Sequence, residues 1–437
     1  MAFFLKGVHV PHRKNTADTE PLRIKAPANV VLPTVMHIGA PAVPVVKVTD
    51  TVKVGTLIAA AGQGLSSPVY ATVSGKVTAV KDFLLSNGKE APAIFIESDG
   101  EMAVDESIAP PVVDSRESLV EAIRLSGVVG LGGAGFPTYV KFNVDPSRIE
   151  EIIVNGAECE PYITSDTYTM TNRADEMLTA ISAIVKYFGV KKVIIGIEEN
   201  KPKAIESMKA LAKKESAIEV KILPPLYPQG GEKVLIYHTT GKKVPVGKLP
   251  IDVGCIVCNC TTLAAIGQYL ETGMPLVEKC VTVDGGSVKK PHNVIAPIGT
   301  PLMELFNFCG GFTEYPAKVL YGGPMMGISV PDVNSPVLKS TNAVLALTEK
   351  ESKLPKTTAC IRCGSCTNSC PFGLAAAEIL LAYKKKDIEK LDALMVNACM
   401  ECGCCSFICP ANRPLVQTNK LAKTLLREEK AKEAAKK

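Results

Sequence analysis

The sequence predicts a multidomain protein of α/β plus β class. Its expected parts are a small β barrel-sandwich, an α/β domain on a parallel sheet, a smaller β-rich domain and a helical, cysteine-rich module. Three observations predict this. Short valine-rich runs broken by glycine fill residues 35–100, strands alternate with amphipathic helices over 115–265, and nine of the 15 cysteines crowd between Cys360 and Cys409. A chain of 437 residues with 46% hydrophobic and 21% charged content builds several packed cores and is not disordered throughout.

The composition also excludes partners. The net charge of +5 forms no basic block outside a mixed Lys/Glu tail, so no nucleic-acid partner is expected. No apolar run reaches the roughly 18–20 residues of a membrane-spanning helix, and the stretch Met1–Lys6 lacks the features of an export signal. The chain is expected to be soluble and cytoplasmic, reaching a membrane only through partners.

Taken in order, residues 1–34 are read as a docking segment. Val43–Val48, Val52–Ala59 and Val69–Val80 are expected strands, with turns at Thr49-Asp50, Gly62–Gly64 and Ser74-Gly75. This module resembles the biotinyl/lipoyl carrier fold. Its hairpin tip, Gly62-Gln63-Gly64-Leu65, has no lysine to carry a cofactor, so a structural or docking role is expected. Asp99–Asp114, rich in proline and acid, reads as a linker.

Beyond it Ser118–Leu125 reads as a helix and Glu150–Val154 as a strand. A helix over Asn172–Phe188 follows, with Met177, Ile181, Ile184 and Phe188 as its apolar stripe, Asn172 as cap and Gly189 as stop. Strands Lys192–Ile197 and Ile218–Leu223 flank a helix at Pro202–Lys214, so the run is βαβαβ and implies a parallel sheet. A helix over Thr261–Glu271 leads into the β-rich segment 266–335, with glycine turns at Asp284-Gly285-Gly286 and Tyr321-Gly322-Gly323. The cysteine-rich module spans 350–418, and 419–437 is a charged helical tail.

The cysteines carry the strongest chemical signal. Cys360-x2-Cys363-x2-Cys366-x3-Cys370-Pro371 and Cys399-x2-Cys402-x2-Cys405-x3-Cys409-Pro410 both have the spacing in which three close thiolates bind one [4Fe–4S] cube. The fourth cysteine of each run reaches across to the other cube. Cys360, Cys363, Cys366 and Cys409 are therefore expected to hold one cluster, and Cys399, Cys402, Cys405 and Cys370 the second. Zinc also binds paired CxxC motifs, but two full four-cysteine runs with trailing prolines favour iron–sulfur. Helices are expected between the runs at Leu374–Tyr383 and Leu391–Asn397. Cys404 falls outside the register and reads as a packing residue, as does Cys159. Cys255, Cys258 and Cys260 lie in an apolar strand with no fourth ligand nearby.

Gly130-Leu131-Gly132-Gly133-Ala134-Gly135 contains a formal G-x-G-x-x-G, although a helix and not a strand precedes it, so as an ordinary dinucleotide fingerprint it is weak. Four glycines in six residues still permit close backbone approach and present N–H groups to a phosphate or a flat ring.

Several motifs in order carry a resemblance. Gly132–Thr138 with Lys141, Asn155-x-x-Glu158-x-Glu160-Pro161, Tyr227-Pro228-Gln229-Gly230-Gly231-Glu232 and Asn259-Cys260-Thr261-Thr262-Leu263 resemble the flavin site of the NADH-binding subunit of respiratory complex I. Lys279–Gly311 resembles that family's β-grasp (SLBB) domain. The barrel-sandwich in front, the segment Gly7-x-His9-x-Pro11-x-x-Lys14 and the two cysteine runs make the whole chain similar to the RnfC family, which belongs to the Rnf complexes, the ion-translocating ferredoxin:NAD oxidoreductases.

The resemblance implies a Rossmann-like FMN/NADH-binding domain. FMN is then held by Gly132, Gly133, Ala134, Gly135, Lys141 and Asn155, with Glu158, Tyr227, Asn259 and Thr262 as neighbours. Phe136 is then placed to stack on NADH, and Glu160 and Glu232 to accept hydrogen bonds from it. Leu131, Ala157 and Gly231 depart from the complex I pattern of arginine, aspartate and glutamate. The resemblance further implies other subunits of a membrane electron-transport complex as partners, with ferredoxin reached indirectly through them, and a peripheral place on the cytoplasmic face. Two other readings stay open on sequence: a soluble flavin/iron–sulfur cobalamin reductase, and a non-enzymatic polyferredoxin-like electron wire.

Overall fold

In the computed structural model, which describes residues 6–435, four sheets and a terminal helical module account for the chain. The barrel-sandwich pairs a four-stranded antiparallel sheet with a three-stranded one. The first runs Asn29–Pro33, Glu90–Ser98, Gly75–Leu84, Thr51–Val52, and the second Val43–Pro44, Leu57–Ala60, Val69–Tyr70. Strand Asn29–Pro33 belongs to this module although it precedes residue 35, because it completes the sheet against Glu90–Ser98. The valine runs are shorter as strands than their sequence suggests. Thr49-Asp50 and Gly62–Gly64 break them, and the longest strand begins only at Gly75.

The α/β domain follows the expected course. Its strands lie in the order Ile218–Leu223, Val193–Glu198, Glu151–Gly156, Cys255–Asn259, all parallel. Alternate residues bury opposite faces. Ile152, Val154, Ile195 and Ile256 pack toward helices Ala174–Phe188 and Cys260–Thr272. Ile153, Leu223 and Val257 pack toward helix Glu232–Thr240. The predicted stripe of Met177, Ile181, Ile184 and Phe188 is buried, and Gly189 ends its helix in the left-handed region at φ 67°. Asn172 is not the cap: it closes a preceding helix, Ser165–Asn172, and the chain kinks at Arg173 before the long helix begins at Ala174. The segment SDTYTMTN is too polar to show a periodic stripe, so its sequence suggests a cap where a helix in fact ends.

The next sheet is mixed, in the order Leu22–Arg23, His292–Pro297, Glu278–Asp284, Ala343–Leu347, Lys318–Tyr321, Ile328–Val330. It outruns the expected 266–335 at the far end, because the wholly buried strand Ala343–Leu347 sits in its middle. At the near end, residues 266–272 belong to the helix that began at Cys260. The cysteine-rich module packs helices Ala376–Lys385 and Ile388–Ala393 against Leu415–Ala435. The expected tail joins the core: Ala422 and Leu426 are buried along with Leu415 and Val416 before them, and the boundary expected at 419 falls inside one helix.

The described residues before the barrel-sandwich, 6–24, lie along this same chain as an arm. Val8 bridges Tyr227, and Tyr162 N donates to His12 O at 2.9 Å. Lys14 Nζ donates to the carbonyls of Glu158 (2.8 Å), Glu160 (2.8 Å) and Ile163 (2.6 Å). Asn15 bonds Asp284, and Arg13 pairs with Glu351 at 3.0 Å.

Candidate functional site: a flavin crevice beside a cysteine-lined cavity

In an open parallel sheet a ligand crevice lies outside the carboxyl ends of the strands, where the strand order reverses. Here the chain winds outward from Glu151–Gly156 to Ile218–Leu223, then returns to place Cys255–Asn259 on the other side of Glu151–Gly156. The switch point therefore lies between these two strands. Asn155 and Asn259, one near the carboxyl end of each, are direct register partners.

The glycine loop lies over that point. Gly132, Gly133 and Ala134 are exposed, and among the described residues their three amides have no acceptor. Gly133 has φ +116°, and a Cβ there would meet open space; a Cβ on Gly132 would come within 3.1 Å of the Asn259 amide. Glycine is needed both for the turn and for this close approach. Below the loop, helix Cys260–Thr272 begins. Asn259 Oδ1 accepts from Thr262 N at 3.2 Å as its cap, and Thr262 Oγ1 accepts from Leu131 N at 3.0 Å. Asp166 holds Asn259 Nδ2 at 2.7 Å and Thr261 Oγ1 at 2.6 Å.

Opposite, Asn155 Nδ2 donates to Gly230 O at 2.8 Å. Lys141 Nζ donates to Val257 O at 2.7 Å and pairs with the exposed Glu232 at 3.3 Å. Phe136 stays half-exposed at the end of the loop. Free amides, a partly exposed lysine and a glycine surface suit an anionic, flat ligand, so the residues present fit FMN.

Three residues expected at the flavin or nucleotide have their polar side-chain atoms held by protein partners. The Glu158 carboxylate is buried and accepts from Asp166 N at 2.7 Å and from Thr167, capping helix Ser165–Asn172. Glu160 accepts from Met325 N (3.1 Å) and Met326 N (2.8 Å) of the neighbouring mixed sheet's loop; burial pushes its carboxyl up to about 7. Tyr227, 2% exposed, donates its hydroxyl to Cys402 O at 2.8 Å. The partners of Glu160 and Tyr227 belong to other modules, which no local pattern displays.

Sequence reasoning missed two buried lysines behind the loop. Lys279 Nζ donates to Leu131 O at 2.6 Å and Lys339 O at 3.2 Å. Lys339 Nζ donates to Ser67 Oγ (3.1 Å), Pro68 O (2.5 Å) and Gly127 O (2.8 Å). Burial pushes both ammonium groups down to about 7. The barrel-sandwich joins in, since Ile38 N donates to Gly135 O at 2.9 Å. The loop is thus clamped from two modules, with only its crevice side open.

The cysteines of the second predicted cluster set border a common cavity, although among the described residues no group of three or more cysteine, histidine or acidic side chains is placed to hold a metal ion. Cys370, Cys399, Cys402 and Cys405 line one small cavity whose other walls include Phe372, Leu374 and Val416. Four thiols around one apolar hollow suit a [4Fe–4S] cube. In the other set Cys366 and Cys409 border one packing cluster, while Cys360 and Cys363 are exposed. Cys404 is buried, its thiol directed at Tyr227 O, 3.8 Å away. Cys255 faces the opposite side of its strand from Cys258, so the three thiols of that segment do not converge.

Comparison with known proteins agrees module by module. Family models match residues 2–101 (RnfC Barrel sandwich hybrid domain), 123–268 (Nuo51 FMN-binding domain), 280–329 (SLBB domain) and 356–432 (4Fe-4S dicluster domain). The chain thus has an FMN domain and a module for two [4Fe–4S] clusters. It is 40% identical over 425 residues to the C component of the Na(+)-translocating ferredoxin:NAD(+) oxidoreductase complex of Acetobacterium woodii, covering 96% of each chain. To the proton-translocating counterpart of Clostridium ljungdahlii it is 41% identical, over 85% of this chain and 82% of that one. To the C component of the ion-translocating oxidoreductase complex of Rhodobacter capsulatus it is 40% identical, over 98% of this chain and 83% of that one. Neither the cobalamin reductase reading nor the electron-wire reading gains support. With four modules in the same order and this identity over nearly its whole length, the chain belongs to the RnfC family, a component of the Rnf complexes, the ion-translocating ferredoxin:NAD(+) oxidoreductases.

Proposed function

We propose that this chain is the NAD(H)-reactive subunit of such a complex. It exchanges a hydride with NAD(H) at FMN and passes electrons one at a time through its two clusters to or from the other subunits, and through them ferredoxin. No helix among the described residues is long and apolar enough to cross a membrane, so the chain is held peripherally, on the cytoplasmic side where NAD(H) is found. The observation that carries this reading is the loop Tyr227–Gly231, which has the crevice on one flank and the cysteine cavity on the other. Gly230 O accepts from Asn155, while Tyr227 bonds Cys402 and Gly231 lies against Met400 so closely that a Cβ would sit 2.3 Å from its methyl group.

When bound, the flavin converts between a two-electron donor and one-electron carriers. The protein's part is positioning. The free amides of Gly132–Ala134 and the Lys141 cation take the phosphate-bearing end. Asn155 and Asn259 fix polar atoms at the sheet edge, and the Phe136 ring offers a stacking face for the nicotinamide nucleotide, with Glu232 at the rim. The two relatives above translocate sodium ions and protons by name, so similarity of about 40% does not choose the ion.

Two experiments test this. Replacing Lys141 and Asn155 together by alanine removes the cation and the tie to Gly230. The purified variant is expected to lose FMN while keeping about eight irons per chain, as two cubes require. Retained FMN with retained NADH:ferricyanide activity overturns the assignment. Tyr227→Phe removes one buried hydroxyl, at a cost of about 1 kcal/mol, and leaves Cys402 O without its donor. Redox titration followed by electron paramagnetic resonance is expected to show one cluster's midpoint displaced, the other unchanged and FMN content intact. Two unmoved midpoints remove the coupling role of the loop.

A further inference from the structure

The two cysteine runs differ sharply in cover. Cys402 and Cys405 are buried, whereas all twelve residues of Lys353–Gly364, including Cys360 and Cys363, are exposed. The segment is not loose. Thr358 N donates to Ala411 O at 3.0 Å, Thr357 Oγ1 to Asn412 O at 3.0 Å, and Arg413 Nη1 to Thr358 O at 3.1 Å. One edge is pinned, and the other faces outward.

The exposed surface here carries large apolar side chains. Leu354 is 82% exposed and Ile361 68%, and Phe407, on a short helix packed beside Ser365–Asn368, is 47% exposed. Lys353, Lys356 and Arg362 belong to the same exposed segment. None makes an ion pair among the described residues, and no acidic residue occurs in Lys353–Gly364. Large aliphatic side chains exposed to water mark a contact surface, and unpaired cations in the same segment select an acidic counterpart.

We propose that the Lys353–Gly364 face is the docking surface for an acidic, one-electron-carrying subunit of the same complex, which closes over the Cys360/Cys363 side of the first cluster. The inference rests on the electron-transfer reading above and adds where electrons cross to the next protein. Brief encounters with soluble carriers use small contacts; the three exposed apolar side chains here favour a lasting contact between subunits. A lipid surface would also attract cations and leucine, but it would cover the ligand loop without offering an electron acceptor.

The test uses the intact complex, solubilised and purified with the Lys353→Glu/Lys356→Glu chain, and a second preparation with Leu354→Asp. These positions precede the ligands and bear no buried bond. At equal FMN and iron content and equal NADH:ferricyanide rates, both variants are expected to leave the complex at a salt concentration several-fold below that releasing the wild type. Retention equal to wild type across the salt series overturns the proposal. Binding of the isolated wild-type chain to phosphatidylglycerol vesicles but not phosphatidylcholine vesicles, abolished by the double charge reversal, also overturns it, since the face would then be a lipid contact. If the wild-type chain itself lacks FMN, iron and ferricyanide activity, the electron-transfer reading fails instead.

Discussion

A Lys14→Met chain is expected to unfold several degrees below wild type and to hold FMN more weakly. The Lys14 ammonium is stripped of water, which lowers its proton affinity, yet it gives all three of its donors to the carbonyls of Glu158, Glu160 and Ile163. Methionine fills the space but leaves three inward-facing acceptors without a partner, at about 1–3 kcal/mol each. Relief from burying the cation offsets part of this, so a net loss of about 3 kcal/mol is expected. The loop concerned is already strained, with Glu158 at φ 45° and Tyr162 at φ 71°, non-glycine residues in the left-handed region. It continues directly from Asn155, so loosening it moves one wall of the crevice. Thermal unfolding of the loaded chain and a flavin-binding titration check both effects. A midpoint and an affinity matching wild type rule out the clamp.

The second large effect is a dependence on pH. Lys279 and Lys339 release their protons near pH 7 in the folded chain, because burial penalises the charged form, against 10.5 when exposed. Between these values the unfolded chain binds protons that the folded chain has given up. Stability therefore rises with pH from about 7 toward 10, by up to about 1.4 kcal/mol per unit for each lysine. Below pH 7 both states are protonated and the slope from these groups vanishes. Denaturant unfolding at pH 6.5, 7.5 and 8.5 should show the rise, and Lys279→Met with Lys339→Met should flatten it. A wild-type profile that falls over this window, or an unchanged slope in the double variant, contradicts the assignment. Neutral lysine still donates, so the hold on Leu131 O persists across the range.

How far the sequence could be read follows from where each signal lies. The cysteine spacing is local and chemically demanding, and Cys370, Cys399, Cys402 and Cys405 border one hollow. The βαβ run is equally local, since each helix announces its buried stripe. Less legible were elements defined by distant partners. Strand Asn29–Pro33 finds its partner in Glu90–Ser98, far along the chain. Strand Ala343–Leu347 is buried on both faces and so shows no alternation. Glu158, Glu160 and Tyr227 occupy motif positions, but their side chains bond the start of helix Ser165–Asn172, the mixed sheet's loop and the cysteine loop. Only their tertiary partners fix that choice.

The arm has a consequence for the order of folding. Its contacts span long sequence separations, 144 residues for Lys14 with Glu158, 269 for Asn15 with Asp284 and 338 for Arg13 with Glu351. Such contacts close late, because the loop entropy must be met before they form. The arm is made before any of these partners and meets Glu351 only after 338 further residues, so its contact there is among the last parts of the chain to set.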